Sequence, residues 1–276
     1  MDCRKSGVVF PTAYNLQPPM DRLFRFSSLV RKGLRFRRAF ENAKRKAGPR
    51  NFDWYPYDCF ANLFYMQHLL QSAKLTLEDV AGGAPLLDLG AADGALSFFL
   101  ESLGYRVHAC DHSGTNINRM QGLRTLATAF SSSIEIHDMD LDGRFELNGE
   151  YGLAVFLGTL YHLKNPFYVL ETLRSHTRYC FLSTRVARQS PDASVHFENI
   201  PVAYLLDPQE CNADSTNYWI FSPAGLVRLA QRTGWRVLSS ANAGAAVSDP
   251  STTQGDERMF LLLESENHSG HRRDQR

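Results

Sequence analysis

The stretch whose reading decides the fold is Pro85-Leu86-Leu87-Asp88-Leu89-Gly90-Ala91-Ala92-Asp93-Gly94-Ala95-Leu96-Ser97. A short apolar run ends in an acid, a glycine turn follows, and an amphipathic segment runs from Leu96 to Leu103. That order predicts a buried strand, a tight turn and a helix whose first N–H groups face a crevice. Gly90 and Gly94 suit a turn where the backbone bends sharply and a ligand approaches closely. An ordinary strand–turn–helix without a ligand is the plainer reading. In open α/β folds such a turn is a nucleotide cradle, so the question becomes which nucleotide.

Asp88 separates the candidates. In a dinucleotide site of G-x-G-x-x-G type the pyrophosphate lies against the helix N-terminus, and a carboxylate beside it would repel. S-adenosylmethionine (SAM) has no phosphate and carries a positive sulfonium and a positive amino group, so an acid is favourable there. Asp88, Gly90 and Gly94 resemble motif I of the class I SAM-dependent methyltransferases, roughly D/E-x-G-x-G-x-G, with Ala92 in place of the middle glycine. The resemblance implies that Asp88, Gly90, Ala92 and Gly94 hold SAM.

Composition bounds the rest. With 276 residues, 43% of them hydrophobic, the chain can bury a large core or a core plus an extension. The net charge of +1 is uninformative, but its distribution is not. Between Arg22 and Arg50 stand Arg22, Arg25, Arg31, Lys32, Arg35, Arg37, Arg38, Lys44, Arg45, Lys46 and Arg50 against Glu41 alone. The five cysteines are scattered without a C-x-x-C pair, which points to a reducing compartment rather than a disulfide framework. No run approaches the roughly 18 apolar residues of a membrane span. These features predict a soluble, cytoplasmic chain.

Residues 1–20 read as a loose lead-in, and residues 1–50 as a basic, partly flexible arm. Within it, Asp21 to Lys46 has few breakers and suits a basic helix. Two readings stand: contact with RNA phosphates or an anionic membrane surface, or a solvated helix covering the domain's edge. Its apolar positions look untidy at helical spacing. The aromatic segment Asn51 to Asp58, with Trp54, Tyr55 and Tyr57, either lines the substrate mouth or packs the extension in place. A helix from Phe60 to Leu70 follows.

After the first helix, the strand Tyr105 to Asp111 ends in an acid 23 positions beyond Asp88. An acid at that tip suits the two hydroxyls of a ribose, whether in NAD or in SAM. A helix from Thr115 to Ala129 is expected next, then the strand Ile134 to Asp138. By the family resemblance, Asp138 meets the adenine amino group and Met139 covers the ring, with Asp140 a nearby alternative. The fourth strand, Tyr151 to Leu157, is a continuous apolar run suited to burial on both faces. It leads into Gly158-Thr159-Leu160-Tyr161-His162-Leu163-Lys164-Asn165-Pro166, at the sheet end where open α/β folds place chemistry.

Here a closer likeness appears. Phe156 to Pro166, and Asn217-Tyr218-Trp219-Ile220-Phe221-Ser222-Pro223 with Gly234-Trp235, resemble the methyltransferases of the tRNA wobble-uridine (5-oxyacetic acid) pathway, over about residues 50–240. The resemblance implies a cofactor at Gly158 and acceptor contacts at Tyr218 and Trp219. In that group the cofactor is carboxy-SAM, held by a tyrosine that Tyr161 matches and by a basic residue. No matching lysine stands in the aromatic segment before Asp88, which favours ordinary SAM.

Two roles stand for His162: general base for a hydroxyl acceptor, or a hydrogen bond to a loop carbonyl. Tyr161 would orient acceptor or cofactor. Arg185, at the tip of the strand Tyr179 to Thr184, either receives an acidic substrate group or caps the sheet edge. Residues 187–217 read as a substrate lid. Trp235–Ser239 and Met259–Leu263 read as a closing strand pair, separated by a small, polar and mobile Ala241–Gly255. Residues 264–276 read as a disordered tail, whose His268 and His271 have nothing nearby to complete a metal site.

The whole predicts a Rossmann-like, doubly wound, seven-stranded α/β sheet with a helical N-terminal extension, its catalytic domain spanning residues 51–263. The expected activity is methyl transfer from SAM to an oxygen or nitrogen, first of a small molecule and alternatively of RNA. A non-catalytic or NAD-binding protein is disfavoured by Asp88, by Ala95 where a third glycine would stand, and by the Gly158 to His162 stretch.

Overall fold

The protein is described here by a computed structural model covering residues 28–48, 50–244, 248–251 and 256–267. The lead-in at 1–20, Arg22, Arg25, His268 and His271 fall outside the described residues. Among those described, nine strands form one sheet: β1 (Leu86–Leu89), β2 (Val107–Asp111), β3 (Glu135–Asp138), β4 (Tyr151–Leu157), β5 (Thr177–Val186), β6 (Ala203–Leu205), β7 (Trp219–Phe221), β8 (Trp235–Gly244) and β9 (Glu257–Ser265). The helices are α1 (Ser28–Lys46), α2 (Asn62–Ser72), α3 (Leu77–Ala81), α4 (Ala95–Ser102), α5 (Gln121–Phe130), α6 (Pro166–His176) and α7 (Pro223–Arg232).

The order β3-β2-β1-β4-β5 is parallel throughout. β9 joins β5 and β8 joins β9, both antiparallel. These are the seven strands expected from the sequence. The segment after β5 adds β6 and β7, which pair antiparallel and meet β5 at Val186. The chain steps outward from β1 to β3, then returns to β4 on the other side, so the topological switch lies between β1 and β4. Ligands of open α/β sheets sit at the carboxyl ends flanking that switch.

Alternation along the strands assigns the two cores. Leu86, Ala109, Leu153, Val155 and Phe181 face the layer of α1, α2, α4 and α5. Leu87, Leu89, Cys110, Ala154, Phe156 and Leu182 face the layer of α6 and α7. Both faces are covered, which is why the strands read as unbroken apolar runs.

The N-terminal helix belongs to the first layer. Leu29, Gly33, Phe36, Phe40 and Ala43 recur three or four residues apart and form its inner stripe. Gly33 hid this period in the sequence. A Cβ there would stand 2.1 Å from Leu63 Cδ1, so with glycine the helix approaches α2 without displacing the Leu63 side chain. Phe36 then packs on Phe60, Phe99 and Phe130 at centroid distances of 5.6–6.2 Å. No described helix is long and apolar enough to cross a membrane.

Three expectations change. The helix expected from Thr115 begins only at Gln121, because asparagine side chains compete with the backbone. Asn116 accepts from the N–H groups of Asn118 and Met120, and Arg119 and Met120 take positive φ. Of the stretch expected to be mobile, Ala241–Gly244 instead complete β8. Of the expected tail, Glu264 and Ser265 instead complete β9, where buried Glu264 accepts from Tyr179 and pairs with Arg236.

Candidate active site

The glycine turn follows β1 directly. The N–H groups of Gly90 and Ala91 both bond to the Cys110 carbonyl, tying the turn to β2. Gly90 has φ +73°, and a Cβ there would lie 2.2 Å from the Thr159 hydroxyl. The turn and the loop after β4 therefore touch, and they touch at a residue that must lack a side chain. Ala92 adopts φ +54°, which costs a residue with a Cβ roughly 1–2 kcal/mol. That conformation explains the glycine of the resembling pattern. The Ala92 N–H donates to Asp111 Oδ2 at 2.7 Å, and His112 N–H donates to Asp111 Oδ1 at 2.8 Å.

Asp88 and Asp111 give the cradle its charge. Asp88 is buried, accepts from the Ser97 hydroxyl at 2.6 Å, and is pushed up to about 6 by burial. Burial raises Asp111 as well, against the bonds from Ala92 and His112. Asp138, at the end of β3, is exposed and accepts the Ser113 N–H at 2.9 Å; hydrogen bonding from the Ser113 side chain and then its backbone holds the carboxyl below the usual range. Met139 donates its N–H to the Asp111 carbonyl, and its side chain packs on the α6–α7 layer. Asp140 is exposed and accepts from Asp142 N–H.

One acid in the turn was not singled out from the sequence. Asp93 is buried, with Oδ2 accepting from Lys44 Nζ at 2.9 Å and from Tyr55 N–H at 2.8 Å. Its Oδ1 accepts from Asn118 at 2.8 Å. Three segments thus converge on the turn: α1, the aromatic segment and the loop before α5. Lys44 also lies 5.2 Å from the Trp54 ring, and the Tyr55 hydroxyl accepts from Ile117 N–H. Burial and the nearby Asp111 raise that phenol, so it stays neutral. A groove of 430 Å³ opens beside this junction, with Lys44, Trp54, Tyr55 and Ala95 in its wall. The partners of Asp93 lie 25–49 residues away, so no local spacing announced it.

The second half of the site is the loop after β4. Gly158, at φ +72°, turns the chain into a single 3-10 turn, Leu160–His162, before Asn165 caps α6. Tyr161 and His162 are half-buried, their rings 4.1 Å apart. His162 Nδ1 lies 3.3 Å from the Thr216 carbonyl and 3.1 Å from its hydroxyl. A proton on Nδ1 satisfies that carbonyl and leaves Nε2 basic. Burial lowers the His162 pKa, with Asp214 opposing, so the ring is neutral near pH 7. Tyr218 donates its N–H to the Tyr161 carbonyl, and the Trp219 indole donates to the Lys164 carbonyl at 3.3 Å. Arg258 of β9 lies over the Tyr161 ring at 5.6 Å, and a Cβ at Gly158 would be 3.3 Å from its Nη1. Arg258 was not read from the sequence, because pairing with β5 brings it here.

The structure therefore brings Asp88, Gly90, Ala92, Gly94 and Asp111 together around the turn after β1, and Tyr161, His162, Tyr218 and Trp219 into one cluster. It does not bring Arg185 to either. Arg185 lies inside β5 rather than at its tip and is 2% exposed. It forms an ion pair with Asp256 at 2.9 Å and donates to Cys211 Sγ at 2.6 Å and to the Asp249 carbonyl at 3.2 Å. Its acid is internal, and of the two roles open to Arg185 this burial favours the structural one.

A family model described as "Methyltransferase domain" matches residues 57–240, two thirds of the chain. The chain belongs to this methyltransferase-domain family, and with its acidic cradle its class is that of the SAM-dependent methyltransferases. Among solved structures, it is similar to the N-terminal domain of EvdMO1 with SAH bound, at 17% identity over 83% of this chain and 96% of that one, TM-score 0.48. It is also similar to TehB from Haemophilus influenzae, at 16% identity over 74% and 66%, TM-score 0.49. The glycopeptide N-methyltransferase MtfA complexed with SAM is similar at 17% identity over 67% and 93%, TM-score 0.43. No curated protein matches the sequence.

Proposed function

We propose that this chain moves the methyl group of SAM to an oxygen or nitrogen of a small-molecule acceptor bound beside the Tyr161–His162 loop. The observation that carries this reading is the contact between the glycine turn and that loop, through Gly90 and Thr159. Cofactor cradle and acceptor loop are built against each other at the sheet's switch point.

The residues present fit the cofactor. Two carboxylates, Asp88 and Asp111, are held at the cradle against the cost of burial. A group bringing positive charge would relieve that cost, while a pyrophosphate would add to it. When bound, SAM supplies an electrophilic methyl carbon on a sulfonium. The chain's part is to hold the acceptor in line with that carbon, the main source of rate in a displacement of this kind. In this reading Asp111 accepts from the ribose hydroxyls, Asp138 from the adenine amino group, and Met139 covers the ring. Gly158 lets the chain pass the cofactor. Tyr161, Tyr218 and Trp219 form the acceptor wall, and neutral His162 takes the proton of a hydroxyl acceptor through Nε2.

Calorimetry with SAM, carboxy-SAM and NAD tests the cofactor. Micromolar SAM binding that Asp111→Ala weakens strongly, with no NAD signal, upholds the reading; equal affinities in both proteins overturn it. A preference for carboxy-SAM would assign the chain to the wobble-uridine branch. An RNA acceptor is the second reading, supported by the exposed Arg31, Lys32, Arg35, Arg38, Arg45 and Lys46 on the outer side of α1. Salt-dependent tRNA binding, lost on reversing these charges, would favour it.

A further inference from the structure

The β2–β3 margin of the sheet carries a cluster that the methyl-transfer site does not use. Glu135 and His137 stand two residues apart on β3, so both side chains leave the same face. His108 of β2 is the register partner of Glu135 and projects to that face too. Cys110, two residues further along β2, fixes it as the α6–α7 side. Three side chains with donor atoms are therefore brought together by strand register alone.

We propose that His108, Glu135 and His137 form a binding site for a divalent transition metal, with zinc the best fit. One nitrogen from each histidine and one carboxylate oxygen all lie within 4.8 Å of one another. His137 Nε2 is 3.3 Å from His108 Nδ1 and 3.7 Å from Glu135 Oε2. The edge of a tetrahedron around zinc with imidazole ligands is about 3.3 Å. The two nitrogens already stand at that spacing, and small rotations of exposed Glu135 would complete three vertices. Two imidazoles and a carboxylate suit zinc, iron, copper or nickel better than magnesium or calcium. The fourth vertex is open to water.

The surroundings hold the ligands together. His108 is partly buried, and its Nε2 lies 3.4 Å from Glu135 Oε1. The Tyr151 hydroxyl donates to the Asn148 carbonyl, and its ring stands edge-on against the His108 ring at 5.2 Å, bracing the inner side of that ring. The His108 and His137 rings stack at 5.3 Å. β3 is the outermost strand of the parallel run, and none of its four residues is fully buried. A metal bridging β2 and β3 would fasten that margin where apolar packing is thin. No sequence spacing announced the site, since its members lie 29 residues apart across two strands.

Titration of zinc chloride into the full chain, followed by calorimetry and by the midpoint of thermal unfolding, tests the site. Wild type is expected to bind one equivalent in the micromolar range and to melt higher as zinc rises. His137→Ala and Glu135→Ala should each weaken that binding by about tenfold or more. Glu135 is exposed, so its variant stays folded and keeps the test decisive even where a histidine variant does not. Cobalt chloride separates these ligands from the cysteines: a visible band without a thiolate charge-transfer band is expected. Binding unchanged in both variants, absent binding by wild type, or a thiolate band would each overturn the proposal.

Discussion

Lys44 and Asp93, 49 residues apart in sequence, meet at 2.9 Å in a junction where their side chains are only 12% and 2% exposed. One belongs to the N-terminal helix and the other to the glycine turn of the cradle. Removing the ammonium leaves Asp93 buried with only N–H donors from Tyr55 and Asn118. Lys44→Met is therefore expected to cost about 3 kcal/mol of stability, the scale of breaking a buried pair. Chemical denaturation measures it, and an unchanged midpoint would show that the pair does not fasten the helix.

The turn and the acceptor loop should also be coupled energetically. Gly90→Ala places a methyl 2.2 Å from the Thr159 hydroxyl and forces alanine to φ +73°. SAM binding by this variant should fall below detection. Adding Thr159→Ala should restore part of it, because the hydroxyl is gone while the backbone cost remains. No recovery in the double variant would mean that the turn's conformation alone decides the loss.

Asp88 makes a pH prediction with a definite sign. Its folded pKa, about 6, lies above the ordinary aspartate value of about 3.9. The stability it contributes is present below about pH 4 and is lost as pH rises towards 6 and beyond. The loss is about 3 kcal/mol at one to two units above the folded value. Asp88→Asn removes that term, so the difference in stability between variant and wild type should grow in the variant's favour from pH 4 to 7. Cation binding works the other way: it favours the ionised carboxylate, and SAM affinity in wild type should rise across the same window.

For His162, activity separates the two roles. If Nε2 takes a proton from the acceptor, His162→Gln lowers kcat/KM by about 100-fold or more while SAM affinity holds. The lowered pKa keeps the ring neutral, so wild-type activity should persist to below pH 6.5, and that acid limb should vanish in the variant. Loss of SAM binding or of folding in His162→Gln would instead identify the Thr216 contact as structural.

How much of this could be read beforehand depended on the range of the interaction. The β1 turn, the apolar β4 and the strand-tip acid Asp111 were legible because each is set by residues within a few positions. The α5 boundary failed on local chemistry of another kind, the competition of Asn116 and Asn118 with the helix backbone. The inner stripe of α1 was obscured because Gly33, where the apolar period needs a residue, contributes contact by having no side chain. Asp93, Arg258 and the internal pairing of Arg185 were out of reach, since their partners come from strands and loops that only the folded topology brings near.

The position of β9 carries one further consequence. This strand, residues 257–265, lies between β5 and β8, pairing with both along nearly its whole length. It is also the last of the described strands to leave the ribosome. At roughly 5–20 residues per second, β5 waits several seconds, from Val186 to Glu257, with that edge unfilled. The nascent chain can assemble β1 to β4 and the cradle early, but the sheet closes only once β9 has emerged. An open edge during that interval is a place for chaperones to engage, and a slow codon run before residue 257 would prolong it.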